Sequence, residues 1–130
     1  MGRDLYYTIP QFFENSLDNH AMVLSWRRVD DPNDDKDFLY QICRANGLSD
    51  IIVHASDTYS YTLTDYYQKP RQLVQGSFIY IARPEARYDW GIVEIAQQDR
   101  ISIGKFGAIM GALYVPQHWN YVPRERRDEN

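Results

Sequence analysis

Three short stretches of this chain carry side chains able to do chemistry. His54-Ala55-Ser56-Asp57 sets an imidazole three residues ahead of a carboxylate. Imidazole titrates near neutral pH and a nearby acid can fix its tautomer, so the pair suits general acid–base work. The plainer reading of His54 is a satisfied histidine at the core or its rim. Arg83-Pro84-Glu85-Ala86-Arg87 clusters two cations around a carboxylate, which suits either anion binding or a surface ion-pair network, the second being the stronger expectation. In Ile103-Gly104-Lys105-Phe106-Gly107 a glycine-flanked lysine leads into a helix start. It lacks the Gly-x-x-x-x-Gly-Lys-Ser/Thr pattern of a phosphate loop and reads first as a tight turn. The candidate catalytic set is therefore His54, Asp57, Glu85 and Lys105.

A second signal is aromatic. Tyr59, Tyr61, Tyr66 and Tyr67 are followed by Lys69 and Arg71, and with Arg83 and Arg87 these form the candidate binding set. Rings interleaved with cations suit single-stranded nucleic acid, where bases stack and cations follow phosphate. They equally suit a protein interface, where Tyr and Arg are enriched at hot spots, and simple sheet packing uses them too. Of the two binding readings, the protein or self interface is preferred on charge. The net charge is −4, and residues 30–37, with five aspartates and one lysine, account for all of it. The remaining chain is neutral and offers no general pull on nucleic acid or anionic membrane. The acidic run itself lacks the alternating ligands, central Gly and closing Glu of a calcium loop and reads as a solvated helix start.

Composition bounds the class. At 130 residues, with 44% hydrophobic and 25% charged residues, one globular domain is expected. Cys43 is the sole cysteine, so the chain can form no internal disulfide and no thiolate metal cage, and a cytoplasmic location is expected. Met1 to Tyr7 shows no signal-peptide run, and no stretch of about 18 apolar residues occurs, so no membrane partner is expected.

The elements that must position these residues follow from periodicity. A helix is predicted from Thr8, with Phe12, Phe13 and Leu17 on one side, then a strand over Ala21–Trp26. Phe38, Leu39, Ile42 and Cys43 recur at helical spacing, with Gly47 as the stop. Asp50–Ala55 reads as a buried strand, joined by a hairpin at Ser56-Asp57 to an alternating strand through Tyr59, Tyr61 and Leu63. A short helix is predicted from Lys69 or Pro70 to Gln75. Then come strand Ser77–Ala82, a helix opened by Pro84, strand Ile101–Ile103, and a helix carrying Phe106, Ile109, Met110, Leu113 and Tyr114. The prediction is an α/β domain over 1–123, with a mixed, mostly parallel sheet flanked by helices on both faces, and a mobile charged tail at 124–130.

By element order, residues 34–114 resemble the core of restriction-endonuclease-like domains. That resemblance implies metal-dependent cleavage of nucleic acid through Asp57, Glu85 and Lys105, with a divalent ion as cofactor. The Glu-x-Lys signature of that family is absent, its nearest substitute being Glu85-Ala86-Arg87. The leading expectation is a binding or accessory module using the aromatic and basic residues toward a protein partner or a second copy. The alternative is a diverged nuclease-like enzyme acting on nucleic acid.

Overall fold

The computed structural model describes residues 2–30 and 38–120, and of residues 2–8 the backbone alone. Asp31, Asp34, Asp35 and Asp37 of the acidic run, and the tail predicted at 124–130, lie outside the described residues. The described residues run α1 (Gly2–Asp18), β1 (Val23–Arg28), β2 (Phe38–Arg44), β3 (Ile51–Ser56), β4 (Ser60–Tyr61), α2 (Leu63–Tyr67), β5 (Phe78–Ile81), β6 (Arg87–Tyr88), α3 (Trp90–Gln98), β7 (Ser102–Gly104) and α4 (Phe106–Ala112), the last element described being a 3-10 turn over His118–Asn120. The fold is mixed α/β. Five strands form one sheet in the order β1-β2-β3-β5-β7, and β4 pairs with β6 in a separate two-stranded ladder.

The expected mostly parallel sheet is not what forms. β1–β2 and β2–β3 pair antiparallel, whereas β3–β5 and β5–β7 pair parallel, and the antiparallel ladders are the longer ones. Short connections can only return a strand antiparallel, while the two parallel joins need the crossovers that carry α2 and α3.

The main cause of this difference is β2. Phe38, Leu39, Ile42 and Cys43 satisfy a helical stripe, but the segment also alternates: Phe38, Tyr40 and Ile42 are buried, whereas Gln41 and Cys43 are half-buried. Pairing on both sides, to β1 and β3, decides for the strand. Gly47 is accordingly no helix stop. With Asn46 it turns the chain through the left-handed region, at φ of 76° and 61°, between β2 and β3. Losing that helix also removes the element order on which the resemblance to restriction-endonuclease-like domains rested, and no such fold is shown.

Four boundaries also move. α1 begins at Gly2, upstream of Thr8, and runs through Pro10. No hairpin forms at Ser56-Asp57, because β4 leaves the main sheet and runs parallel to β6, pairing Ser60 with Arg87 and Tyr61 with Tyr88. The short helix sits at Leu63–Tyr67, ahead of Pro70, because Thr62 and Asp65 form a capping box: Thr62 Oγ1 accepts from Asp65 N at 3.2 Å, and Asp65 Oδ2 accepts from Thr62 N at 2.8 Å. α3 starts at Trp90, where Asp89 caps Gly91 N at 2.8 Å; Pro84 instead opens a turn closed by Ala86 N donating to Arg83 O at 3.1 Å. Thr62→Ala is expected to lower the unfolding free energy by about 1 kcal/mol, read as an earlier urea midpoint with an unchanged slope.

Two apolar clusters lie on opposite sides of the sheet. In the first, Phe13 and Leu17 of α1, Ile109 of α4 and Leu113 at its C-terminal cap meet Tyr40, Val53, Phe78 and Tyr80. In the second, Tyr66, Ile92 and Ala96 meet Leu39, Ile79, Ile81 and Ile103. Alternation along β5 supplies both, with Phe78 and Tyr80 on one side and Ile79 and Ile81 on the other. The second side is not evenly covered, since Gln41, Cys43 and Ile52 stay half-buried.

Candidate functional site

β3, β5 and β7 are parallel neighbours, so the residues following each strand emerge along one rim. Crevices at such C-terminal strand ends are where α/β folds gather functional groups. Asp57 follows β3, Arg83 and Glu85 follow β5, and Lys105 follows β7.

Arg83 is the centre of this rim. Only 3% exposed, its Nε lies 2.8 Å from both Asp57 Oδ1 and the Asp57 backbone oxygen, and its Nη1 lies 3.5 Å from Glu85 Oε2. The guanidinium carbon sits 4.0 Å from the centre of the Tyr59 ring, a cation–π contact strengthened where the cation is shielded from water. Tyr59 itself remains 61% exposed. Lys105 Nζ donates to Pro84 O at 2.8 Å, tying the end of β7 to the same turn. Arg87 belongs to β6, and its backbone N donates to Tyr59 O at 2.9 Å. Asp57, Tyr59, Arg83 and Glu85 thus meet in one cluster, with the turn held by Lys105 beside it.

His54 is buried within β3, where its register partners are Leu39 and Ile79. The tyrosines divide. Tyr61 and Tyr66 are buried in the second cluster. Tyr66 donates to Asp99 Oδ2 at 2.5 Å, and burial, with that bond, raises its phenol above the ordinary range. Tyr67 is 67% exposed. Lys69 Nζ lies 3.8 Å from the centre of the Tyr66 ring, and Arg71 is exposed in the turn that follows. Tyr61, Tyr66 and Lys69 of the candidate binding set therefore serve packing around α2, leaving Tyr59 and Tyr67 as the rings presented outward.

No match to this chain is found among protein-family models, among curated proteins or among solved structures. Among the described residues, no group of three or more His, Cys, Asp or Glu is placed to hold a metal ion, and none of the helices is long and apolar enough to cross a membrane. Asp30, the one described member of the acidic run, takes Arg28 Nε and Nη2 at 2.6 and 2.9 Å, and those hydrogen bonds hold its carboxyl below the usual range.

Two buried polar centres carried no signal in the sequence. Arg44, at the end of β2, donates Nε to Ser49 O at 2.7 Å and Nη1 to Val115 O at 2.9 Å, beside the carbonyls of Ala112 and Leu113. It satisfies the chain end of α4, where helix carbonyls lack partners. His118 lies between Ser102 Oγ, 2.6 Å from its Nδ1, and Gly76 O, 2.8 Å from its Nε2. A carbonyl can only accept, so Nε2 carries the proton and Ser102 donates to Nδ1. Burial lowers the His118 pKa to about 4, so the ring is neutral in the fold and pins the terminal turn to β7.

Proposed function

We propose that this chain is a binding module whose contact surface centres on Tyr59 and extends to Tyr67, Leu63 and Arg87, and that its partner is a protein surface, a second copy of the chain being the first to test. The observation that carries this reading is the state of Tyr59. Its ring is largely exposed, yet it is stacked on an arginine that is buried and clamped by two carboxylates. An exposed ring held in place by a rigid base loses little freedom on binding, which is what makes aromatic anchors efficient at interfaces. Leu63 and Trp90, both partly exposed, add apolar area nearby along the chain.

Charge favours protein over nucleic acid. Asp57 and Glu85 offset Arg83, and Asp65 and Asp89 cap α2 and α3 within the same stretch. A strand of phosphates needs a continuous run of cations, and here the signs alternate. Light scattering on size-exclusion fractions tests the proposal. Wild type is expected to shift toward dimer mass as concentration rises, and Tyr59→Ala/Tyr67→Ala is expected to stay monomeric. Wild type that remains monomeric throughout removes self-association, and tight binding of a single-stranded oligonucleotide in an anisotropy titration would redirect the reading to nucleic acid.

The second reading, a diverged nuclease-like enzyme, draws on the placement of Asp57, Glu85 and Lys105 at the ends of parallel neighbours. Against it stands the engagement of both carboxylates with Arg83, a competitor for any divalent ion. Cleavage of DNA or RNA that appears only with Mg²⁺ or Mn²⁺ and is lost in Asp57→Asn would support it.

A further inference from the structure

Beside Tyr59 lies an open groove of about 560 Å³, formed where the β4–β6 ladder meets the first turns of α2 and α3. The backbone joins it to Tyr59, since Arg87 N donates to Tyr59 O at 2.9 Å. Leu63, Ile92 and Ile95 line the groove with apolar surface, and Arg87 and Asp89 line it with opposite charges. Both charged residues are exposed, and Asp89 is extended, at φ −84° and ψ 133°. Two positions apart along such a chain, they share a side of it. Among the described residues neither makes an ion pair, with the other or with a third residue, whereas Arg83 close by is matched by Asp57 and Glu85. Asp89 commits Oδ1 to Gly91 N at 2.8 Å, which leaves Oδ2 to offer.

We propose that two copies of the chain meet groove to groove about a two-fold axis, Arg87 of each copy pairing with Asp89 of the other. The proposal rests on the reading of the Tyr59 surface as a self-interface and gives that interface its geometry. A surface that meets itself must be self-complementary, because across a two-fold axis residue i faces j and j faces i. A patch of one sign would oppose itself, whereas neighbouring unlike charges form two reciprocal pairs. Each copy carries a net charge of −4, so association brings like charge together and local matching has to offset it. Arg87 is available for that, while Arg83 is already neutralised within its own chain. Leu63 and Trp90, 38% and 41% exposed, supply the apolar area that exposed ion pairs by themselves do not.

Sedimentation equilibrium of the full chain tests the arrangement by charge reversal. Arg87→Glu sets like charges against each other at both contacts, and its dimer is expected to dissociate about tenfold more readily than wild type. Asp89→Lys does the same with the opposite sign. An equimolar mixture of the two variants restores both pairs, so a heterodimer as tight as the wild-type dimer is expected. Asp89→Lys also removes the α3 cap. Asp89→Asn keeps a capping side chain, and in the Arg87→Glu background it should recover part of the lost affinity. Suppose wild type dimerises and Tyr59→Ala/Tyr67→Ala does not: Arg87→Glu dimers as tight as wild type then overturn the two-fold geometry and leave the Tyr59 surface standing. An Arg87→Glu defect that neither mixing nor Asp89→Asn relieves overturns the pairing with Asp89. Wild type that is monomeric at every concentration overturns both this proposal and the self-interface beneath it.

Discussion

Arg83→Met is expected to lower the unfolding free energy by about 3 kcal/mol, the lower end of what breaking a buried ion pair costs. Methionine keeps the apolar stem of arginine as far as the Nε position, so the loss is that of the buried guanidinium and its ion pairs rather than of the stem's packing. Asp57 would lose the Nε–H that sits 2.8 Å away, and Glu85 its partner at 3.5 Å. Glu85 is mostly exposed and can hydrate, whereas Asp57 is four-fifths covered, so most of the penalty falls on Asp57. Asp57→Asn in the Arg83→Met background should therefore recover part of the loss, where two unrelated sites would simply add. The same substitution removes the platform under Tyr59, and self-association should weaken with it. Urea unfolding of the two single variants and the double variant gives the coupling directly. A double variant no more stable than Arg83→Met would show that the pair is a surface contact of little weight.

Acid should destabilise the protein through His118. Its pKa is lowered in the fold from the ordinary 6.5 to about 4, first by burial and then by the Arg44 charge, with the Gly76 hydrogen bond opposing. Protons therefore bind the unfolded chain more readily than the native one. The contribution of the neutral ring is complete above pH 6.5 and is lost as pH falls toward 4, by about 3 kcal/mol in all, at 1.36 kcal/mol per pKa unit. Glutamine at 118 can still donate to Gly76 O but does not titrate. His118→Gln should be less stable than wild type at pH 7 and should lose most of the stability slope between pH 6.5 and 4.5. Identical slopes in the two proteins would falsify the assignment. Because the ring joins Ser102 to Gly76, the acid-sensitive event should begin as release of the terminal turn, with protection of the Ser102 and Asn120 amides falling first in hydrogen exchange.

The rim was legible because it depends on short-range pattern. Aliphatic runs at Ile51–Val53, Phe78–Ile81 and Ile101–Ile103 announce buried strands, and the chain between them is long enough to demand crossovers. Parallel strands follow from that, while their lying side by side, and with it the shared edge that holds Asp57, Arg83 and Lys105, comes from the sheet order. α4 was equally plain, since its stripe of Phe106, Ile109 and Leu113 fits only a helical period. β2 was not. Phe38, Leu39, Ile42 and Cys43 satisfy both periods, and only the ladders to β1 and β3 separate them. The tyrosines pose the same difficulty: Tyr59 and Tyr67 face outward, Tyr61 and Tyr66 inward, because β4 pairs with β6 and the Thr62–Asp65 box turns Tyr66 toward Asp99.

By itself the sequence determined an α/β chain, the strands that form the parallel half of its sheet, and which polar residues stand at their ends. These are carried by side-chain period and turn chemistry, forces between residues a few positions apart. Tertiary structure alone decided the antiparallel half, the outward turn of Tyr59 onto a buried Arg83, and the contact of His118 with Ser102 and Gly76. Each of those depends on which distant segment lies alongside, and the free energy that selects it comes from paired backbone and buried area that no local window contains.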